Sequence, residues 1–460
     1  MNITTPRRAS GTRALALLAL MVTTTTGTAC RSHTELNRQY DTMRADMMAG
    51  NWAKAAASLE SSKEKIYKEE DRVMYWLNLG TLLHYAGDYP RSAEHLIKAE
   101  EEMQNLWTTS ISAEASKFLV NDAVQSYGGE DFEKILVYFY TALNKVRQNQ
   151  IGDALVEARR ADEFLKKMRV EFEKEGEGGT LYREDAFMLW MVGLFYEIEG
   201  SWADAYLAYK AAAEAYEQVY AQKFFTPAPA FIYEDAARTA QLAGQGGDVG
   251  RWKQKGATGA TLERAAAGDG EVVFIHGNGE SPGKKERYVD GVMPDGYVMR
   301  IALPEFFERR PRITHVEVKA GNAVGRSELA EPVTSIALVN YTHRLPAITA
   351  RAIARATAKY IAAAVAKKAT EGDGSDGNRA LAGALVGLVA NVATAASEAA
   401  DLRSWSTLPA NIGVTRIWLP PGAHTLQVGY MSGGSVVKTE QIPVEIKAGE
   451  RRIISVRSME

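Results

Sequence analysis

Between residues 34 and 242, apolar and small residues recur at helical spacing, and one short phrase interrupts them three times. It reads AGNWAKA from Ala49, AGDYPRS from Ala86 and EGSWADA from Glu199. Each copy has the glycine and polar residues of a helix-to-helix turn, and self-similarity of this kind predicts a stacked array of helix pairs. Beyond residue 270 the period changes. YVMRIALPEF and THVEVKAG alternate as half-buried strands do, and GEVVFIH is a short apolar run closed by turn residues. The chain therefore predicts an α+β protein, with a helical repeat array followed by a β-rich, sandwich-like module.

Counting outward from Gly87 places Trp76, Leu79 and Gly80 on the first helix of a pair and Leu96 and Ala99 on the second. Counting from Gly200 gives Val192, Gly193 and Tyr196, then Ala205, Tyr209 and Ala212. This spacing of small and aromatic positions resembles the tetratricopeptide (TPR) repeat, in which small residues let two helices approach and aromatics fill the gap to the next pair. Gly50, with Ala55 and Leu59, marks an earlier unit. GDALVEARRADEFL supplies another second helix, with Ala154, Ala158 and Ala161 at its small positions. The inter-helix positions 50, 87, 149 and 200 lie 37, 62 and 51 residues apart, so insertions are expected, with loops at GEDFE and EKEGEGGT. An array of this type implies a concave groove for a protein or peptide partner. Arg159, Arg160, Arg183, Glu184 and Asp185 are the polar residues expected there, set against their being solvated helix faces.

Pro227 and Pro229 interrupt the helical pattern, a short helix follows to Leu242, and residues 243–270 (GQGGDVGRWKQKGATGA and its flanks) predict a Gly-rich linker. The β-rich domain then spans 271–460, with a helical insertion at about 345–400. In the first inserted helix Ile348, Ala352, Ala356, Tyr360 and Ala363 form one stripe. The second, 379–399, is small and apolar, and its Gly383-xxx-Gly387 pair permits close helix contact in a membrane or an oligomer; the run is short of a span, and packing on its amphipathic neighbour is expected over membrane insertion. LPPGAHTL near 420 resembles the turn and strand of PEGA-type β-sandwiches.

The N-terminus has a different character. Arg7, Arg8 and Arg13 precede an apolar run from Ala14 to Val22 and then small residues, the pattern of a signal peptide over 1–29. The apolar run is too short to span a bilayer. The single cysteine of the chain, Cys30, follows Gly27, Thr28 and Ala29. This resembles a lipobox with Gly in place of the usual Leu at the third position before the cysteine. The resemblance implies acylation of Cys30, a membrane anchor, and a mature chain without disulfides. Arg31, where a retention signal would place Asp, implies an outer-membrane location. Loss of the three arginines takes the formal charge from −3 to about −6 with no basic block, which excludes nucleic acid as a partner.

Catalytic chemistry finds little support. FIHGNGE, around His276, is similar to an oxyanion loop, but no G-x-S-x-G elbow accompanies it, and a tight hairpin turn is expected. GNAVGRSE lacks the lysine and spacing of a phosphate loop and is expected to be a loop. The seven histidines show no metal-ligand spacing, and no metal or cofactor is expected. Asp401, Arg403, Trp405 and Pro409 form the one compact polar and aromatic cluster that periodicity does not explain. It reads either as a site or as a polar cap with a wedged Trp.

GDALVEARRADEFL, LYREDAFMLWMVGLFYE, RIALPEF and ADLRSWSTLPANIGVTRIWLPPGAHTL, in this order over residues 40 to 430, resemble a family of bacterial TPR-containing lipoproteins. The family carries no biochemical activity to transfer. Its members' neighbourhood, beside lipoproteins that activate penicillin-binding proteins, implies work in the cell envelope. The expectation is a lipid-anchored, non-enzymatic scaffold that binds an envelope protein or peptide in its array groove. The alternatives are a homo-oligomeric structural lipoprotein and a cell-wall glycan hydrolase, the latter needing a carboxylate pair.

Overall fold

The structure is a computed structural model and describes residues 38–112, 125–175, 180–293, 296–371 and 399–460. Cys30, Gly383, Gly387 and nearly all of the second inserted helix lie outside the described residues.

Helices α1 (38–48), α2 (Trp52–Ile66), α3 (Arg72–Ala86), α4 (Tyr89–Ser112), α5 (Asp131–Arg147), α6 (Ile151–Glu175), α7 (Ala186–Ile198) and α8 (Trp202–Ala215) pair in succession. The π-helical turn Tyr216–Tyr220 carries α8 on to Lys223. The joints fall at Gly50, Gly87, Asn149 and Gly200, with φ of +74°, +85°, +61° and +78°. All four inter-helix positions thus adopt the left-handed conformation that lets one helix end and the next begin antiparallel to it. The glycines do so without strain, and Asn is among the side chains that tolerate it best. GEDFE, expected as a loop, instead starts α5, where Glu130 and Glu133 cap each other's backbone reciprocally.

The small positions act as the repeat pattern requires. A Cβ on Gly80 would sit 2.6 Å from Cγ of Leu96, and one on Gly193 would sit 2.6 Å from Cδ1 of Tyr209. In both pairs the second helix therefore lies directly on the first helix's backbone.

The expected linker at 243–270 is corrected by the structure. Gly244 (φ +76°) is a fifth joint, connecting α9 (Ala230–Leu242) to α10 (Gly246–Gln254), and α11 (Ala260–Ala266) follows. Trp252 pins this pair, fully buried with its ring 6.3 Å from that of Tyr233 and 6.5 Å from that of Tyr206. The glycines that signalled a linker are turn residues, and the single Trp among them is the anchor.

The β-rich module contains two four-stranded sheets and a hairpin. The first sheet has the order β10-β1-β7-β6, built from β1 (Gly270–Asn278), β6 (Glu328–Glu331), β7 (Asn411–Leu419) and β10 (Arg451–Ser458). The second has the order β5-β4-β8-β9, built from β4 (His315–Ala320), β5 (Ala323–Arg326), β8 (Gly422–Ser432) and β9 (Ser435–Ile446). β2 (Gly283–Val292) and β3 (Val298–Phe307) form the hairpin. β1 pairs parallel with β10 and antiparallel with β7, not with β2, so FIHGNGE is no hairpin turn and His276 belongs to a strand. GNAVGRSE, expected as a loop, is the turn and returning strand of the β4–β5 hairpin. The Pro420-Pro421 turn carries the chain from β7 in one sheet to β8 in the other.

β1 explains how the layers stack. Val272 and Phe274 point into the sandwich with Val316, Val318, Leu426 and Ile446. Val273 and Ile275, on its opposite face, enter the core of the helical array. The first sheet is therefore covered on both sides, which is why GEVVFIH reads as a continuous apolar run rather than an alternating one. One core joins the two halves that the sequence pattern separates.

The inserted helix α12 (Val333–Glu371) begins earlier than the expected residue 345 and contains Pro346. Val333, Ile336 and Ala337 belong to the array core, so this first stretch is structural filler between the halves rather than an appendage. Further along, Ala352 and Ala356, with Ile348, pack on Ile301 and Leu303 of β3, and Tyr360 meets Tyr297 at 5.0 Å.

Candidate functional site

The groove expected for a partner is the natural place for a site, and the chain itself covers it. The first helices of the pairs, α1, α3, α5, α7 and α9, send side chains toward the β-module along the length of the array. At one end, Tyr40 Oη donates to Glu280 at 2.6 Å, and Arg44 Nε donates to the same carboxylate at 2.8 Å. On α3, His84 lies 3.3 Å from Ser455 Oγ and is held by Asn144 at 2.8 Å. Burial pushes this imidazole down to about 4, so it is neutral.

The segment 401–409 is wedged between the layers. Arg403 Nη2 donates to Asp401 Oδ2 at 2.8 Å and to the carbonyl of Gln125 at 2.8 Å, while Nη1 reaches Asp71 at 3.3 Å. Trp405 is fully buried. Its Nε1 donates to Thr81 Oγ1 at 2.9 Å, its backbone N–H to Glu133 Oε1 at 2.7 Å, and its ring lies 5.7 Å from Tyr140. Asn78 accepts from Ser406 and from the backbone of Thr407. Pro409 is buried beside them. Asp401 and Arg403 pair beside the buried Trp405, Pro409 is buried in the same segment, and what they make is a polar cap around a wedged Trp.

The five charged residues assigned to the groove do not assemble. Arg159 is exposed on α6, the second helix of its pair, and Arg183 is exposed before α7. Arg160 pairs with Glu100 at 2.6 Å and Glu157 at 2.9 Å and lies over the Tyr138 ring. Glu184 faces Arg169 at 3.7 Å. Asp185 is buried as the N-cap of α7, accepting from the backbone of Met188 at 2.8 Å and from Tyr182 Oη at 2.5 Å. Tyr220 Oη lies 3.3 Å from Asp185 and 2.8 Å from Glu331 of β6, so two buried carboxyls share one phenol, and neither has a salt bridge among the described residues. Burial raises Asp185 to about 6, and burial with Asp185 nearby raises Glu331 well above the carboxylate range.

A second buried cluster escaped the sequence reading. Glu197 of α7 accepts from Arg238 Nε at 2.7 Å and from Arg451 Nη2 at 2.6 Å. Asp235 of α9 accepts from Arg238 Nη2 at 2.7 Å, from Trp190 Nε1 at 2.9 Å and from Arg416. Glu271 of β1 accepts from Arg416 Nε and Nη2, both at 2.5 Å. Three arginines and three carboxylates thus neutralise one another across the junction of helices and sheet. The available signal was a lone acid inside an apolar run, Glu197 in AFMLWMVGLFYEI and Glu271 in GEVVFIH.

These contacts hold the layers together rather than presenting a reactive group. Among the described residues, no group of three or more His, Cys, Asp or Glu side chains is placed to hold a metal. His276, in the segment similar to an oxyanion loop, is buried against Ser458 Oγ at 2.8 Å.

No protein-family profile matches the chain, and no curated protein matches it. Among solved structures, the crystal structure of the apo form of RapI is similar over 51% of this chain and 74% of its own, at 11% identity and a TM-score of 0.35. A likeness at that level carries no argument.

Proposed function

We propose that the protein is a lipid-anchored, non-enzymatic scaffold of the cell envelope that recruits a protein partner through the outer surface of its array. The observation supporting this reading is that the inner face is already occupied. Asn78, Thr81, His84, Asp235 and Glu197 are all engaged by the chain's own β-module. A peptide would have to displace a buried Trp and a neutral ionic cluster to enter, a cost of several kcal/mol before any new contact forms. Arg159, Val156 and Leu207, on second helices, remain exposed. No described helix is long and apolar enough to cross a membrane, and the anchor in this reading is acylated Cys30.

Photo-crosslinking residues at positions 159, 156 and 207 in living cells, with mass spectrometry of the products, test the recruitment. A shared envelope protein captured from these positions supports it, and capture of none from all three overturns it. Cys30→Ser tests the anchor separately. The variant should leave the membrane fraction while keeping the wild-type Tm, and continued membrane association overturns the lipid claim.

A further inference from the structure

Between the first helix pairs and the ends of β8, β9 and β10 lies a cavity of about 310 Å³, lined by Trp52, Tyr85, Tyr430, Lys438, Ser455 and Arg457 among others. Its aromatic wall is continuous on one side, with the Trp52 and Tyr85 rings 5.0 Å apart. Lys438 Nζ lies 5.1 Å from the Tyr430 ring centre.

Arg457 sets this cavity apart. Only 8% of the residue is exposed, and Nη2 donates to the carbonyls of Leu408 at 3.0 Å and Thr407 at 3.4 Å. Nε and Nη1 are buried with no hydrogen-bond partner among the described residues. The two acids that also line the cavity are committed elsewhere. Glu440 accepts from Tyr430 Oη at 2.9 Å, and Glu460 pairs with Arg312 at 3.7 Å. A buried guanidinium without an anion is among the costlier features a fold can carry, and each orphaned N–H adds to that cost. The other arginines at the helix–sheet junction, Arg238, Arg416 and Arg451, each have a carboxylate.

The charge of Arg457 also reaches His276. Burial pushes His276 down to about 3, with Arg457 and then Lys438 pushing in the same direction. The approach of Arg457 also depends on a glycine. A Cβ at Gly277 would fall 3.0 Å from Tyr85 Oη and 3.2 Å from Cδ of Arg457.

We propose that this cavity binds an organic carboxylate with an apolar or aromatic body, Arg457 and Lys438 taking the anion and Trp52, Tyr85 and Tyr430 taking the body. The carboxylate offsets the charge of Arg457, whose Nε and Nη1 stay shut behind the cavity wall, and accepts directly from the exposed Lys438, while the rings line a space about the size of one amino-acid side chain. The site is independent of the scaffold reading, since it involves neither the outer helix faces nor the anchor.

Calorimetric titration of the full chain with N-acetyl-L-phenylalanine and with its amide tests the proposal. The acid should bind at least about tenfold tighter than the amide. Lys438→Gln, at an exposed position, should weaken the acid several-fold without changing the amide, and Arg457→Met should abolish the difference between them. Because Arg457→Met alters a buried position, its Tm is measured alongside, and Lys438→Gln carries the test if that variant does not fold. A tetrapeptide ending in free phenylalanine distinguishes the sources. Tighter binding than the single residue assigns the site to a chain terminus, and weaker binding assigns it to a free acid. Equal affinity for acid and amide overturns the proposal, as does no heat from either at about 10 mM. Inorganic phosphate binding as tightly as the acid overturns the organic body.

Discussion

Glu197 and Arg238 meet through two hydrogen bonds of 2.7 and 2.8 Å with both side chains wholly shut from solvent. Arg451 of β10 closes on the same carboxylate at 2.6 Å. Burial pushes the Glu197 carboxyl up, but Arg238 and then Arg451 outweigh it and leave it at about 2. Glu197→Gln removes the charge and leaves three buried guanidinium groups to share the two carboxylates of Asp235 and Glu271. It should cost about 3–5 kcal/mol in chemical denaturation. A cost below about 1 kcal/mol would show that the cluster does not bind the layers together.

The Asp185–Glu331 pair has the opposite sign. Both carboxyls hold their protons more tightly folded than unfolded, so the stability they contribute is fully present below the ordinary carboxyl range. It is lost as pH rises through about 6 for Asp185 and higher for Glu331. Glu331→Gln mimics the protonated state. It should raise stability at pH 8 by roughly 1–3 kcal/mol and leave it nearly unchanged at pH 4. Thermal melts across that range check this, and an equal effect at both pH values would contradict it.

Trp405 anchors the segment that closes the inner face. Trp405→Ala should cost about 3–5 kcal/mol. Trp405→Phe, which keeps a ring but loses the donor to Thr81 and Thr407, should cost about 1–2 kcal/mol. Limited proteolysis should cut the alanine variant between residues 399 and 411 faster than the wild type. Equal cutting rates would mean that the wedge is held by its neighbours alone.

Gly80→Ala places a methyl 2.6 Å from the Leu96 side chain and should cost about 1–3 kcal/mol. Shortening the neighbour as well, in Gly80→Ala with Leu96→Val, should recover part of that loss. Denaturation of the two single variants and the double variant completes the cycle, and strict additivity would refute the contact.

The repeat was readable because its signals are local. Glycines at 50, 87 and 200, Asn149 and the small residues at 80 and 193 report turns and close approaches between chain neighbours. Strand alternation located β3 and β4 for the same reason. What covers the array was not readable, because each partner lies far along the chain. Arg403 meets Asp71, Trp405 meets Thr81, and Arg451 meets Glu197. No period or motif records such pairings, so charges at 183–185 read as a binding surface when Asp185 is a buried cap. Residues 243–270 failed for another reason. Their glycines carry two meanings, and only the burial of Trp252 separates a helix pair from a linker.

The parallel pairing of β1 with β10 joins Glu271 to Arg451 and Asn278 to Ser458. The strands between which the first sheet must close are therefore separated by most of the β-module, and such long-range closure is slow compared with helix pairing. On a chain emerging from a ribosome or a translocation pore, the helix pairs can form while their inner face is still bare. Its covering is complete only when β10 brings Arg451 to Glu197 and Ser455 to His84. Through that interval His84 and the carboxylates of α7 and α9 present the open groove that the finished protein lacks, which gives a folding helper a surface and a limited time in which to hold it.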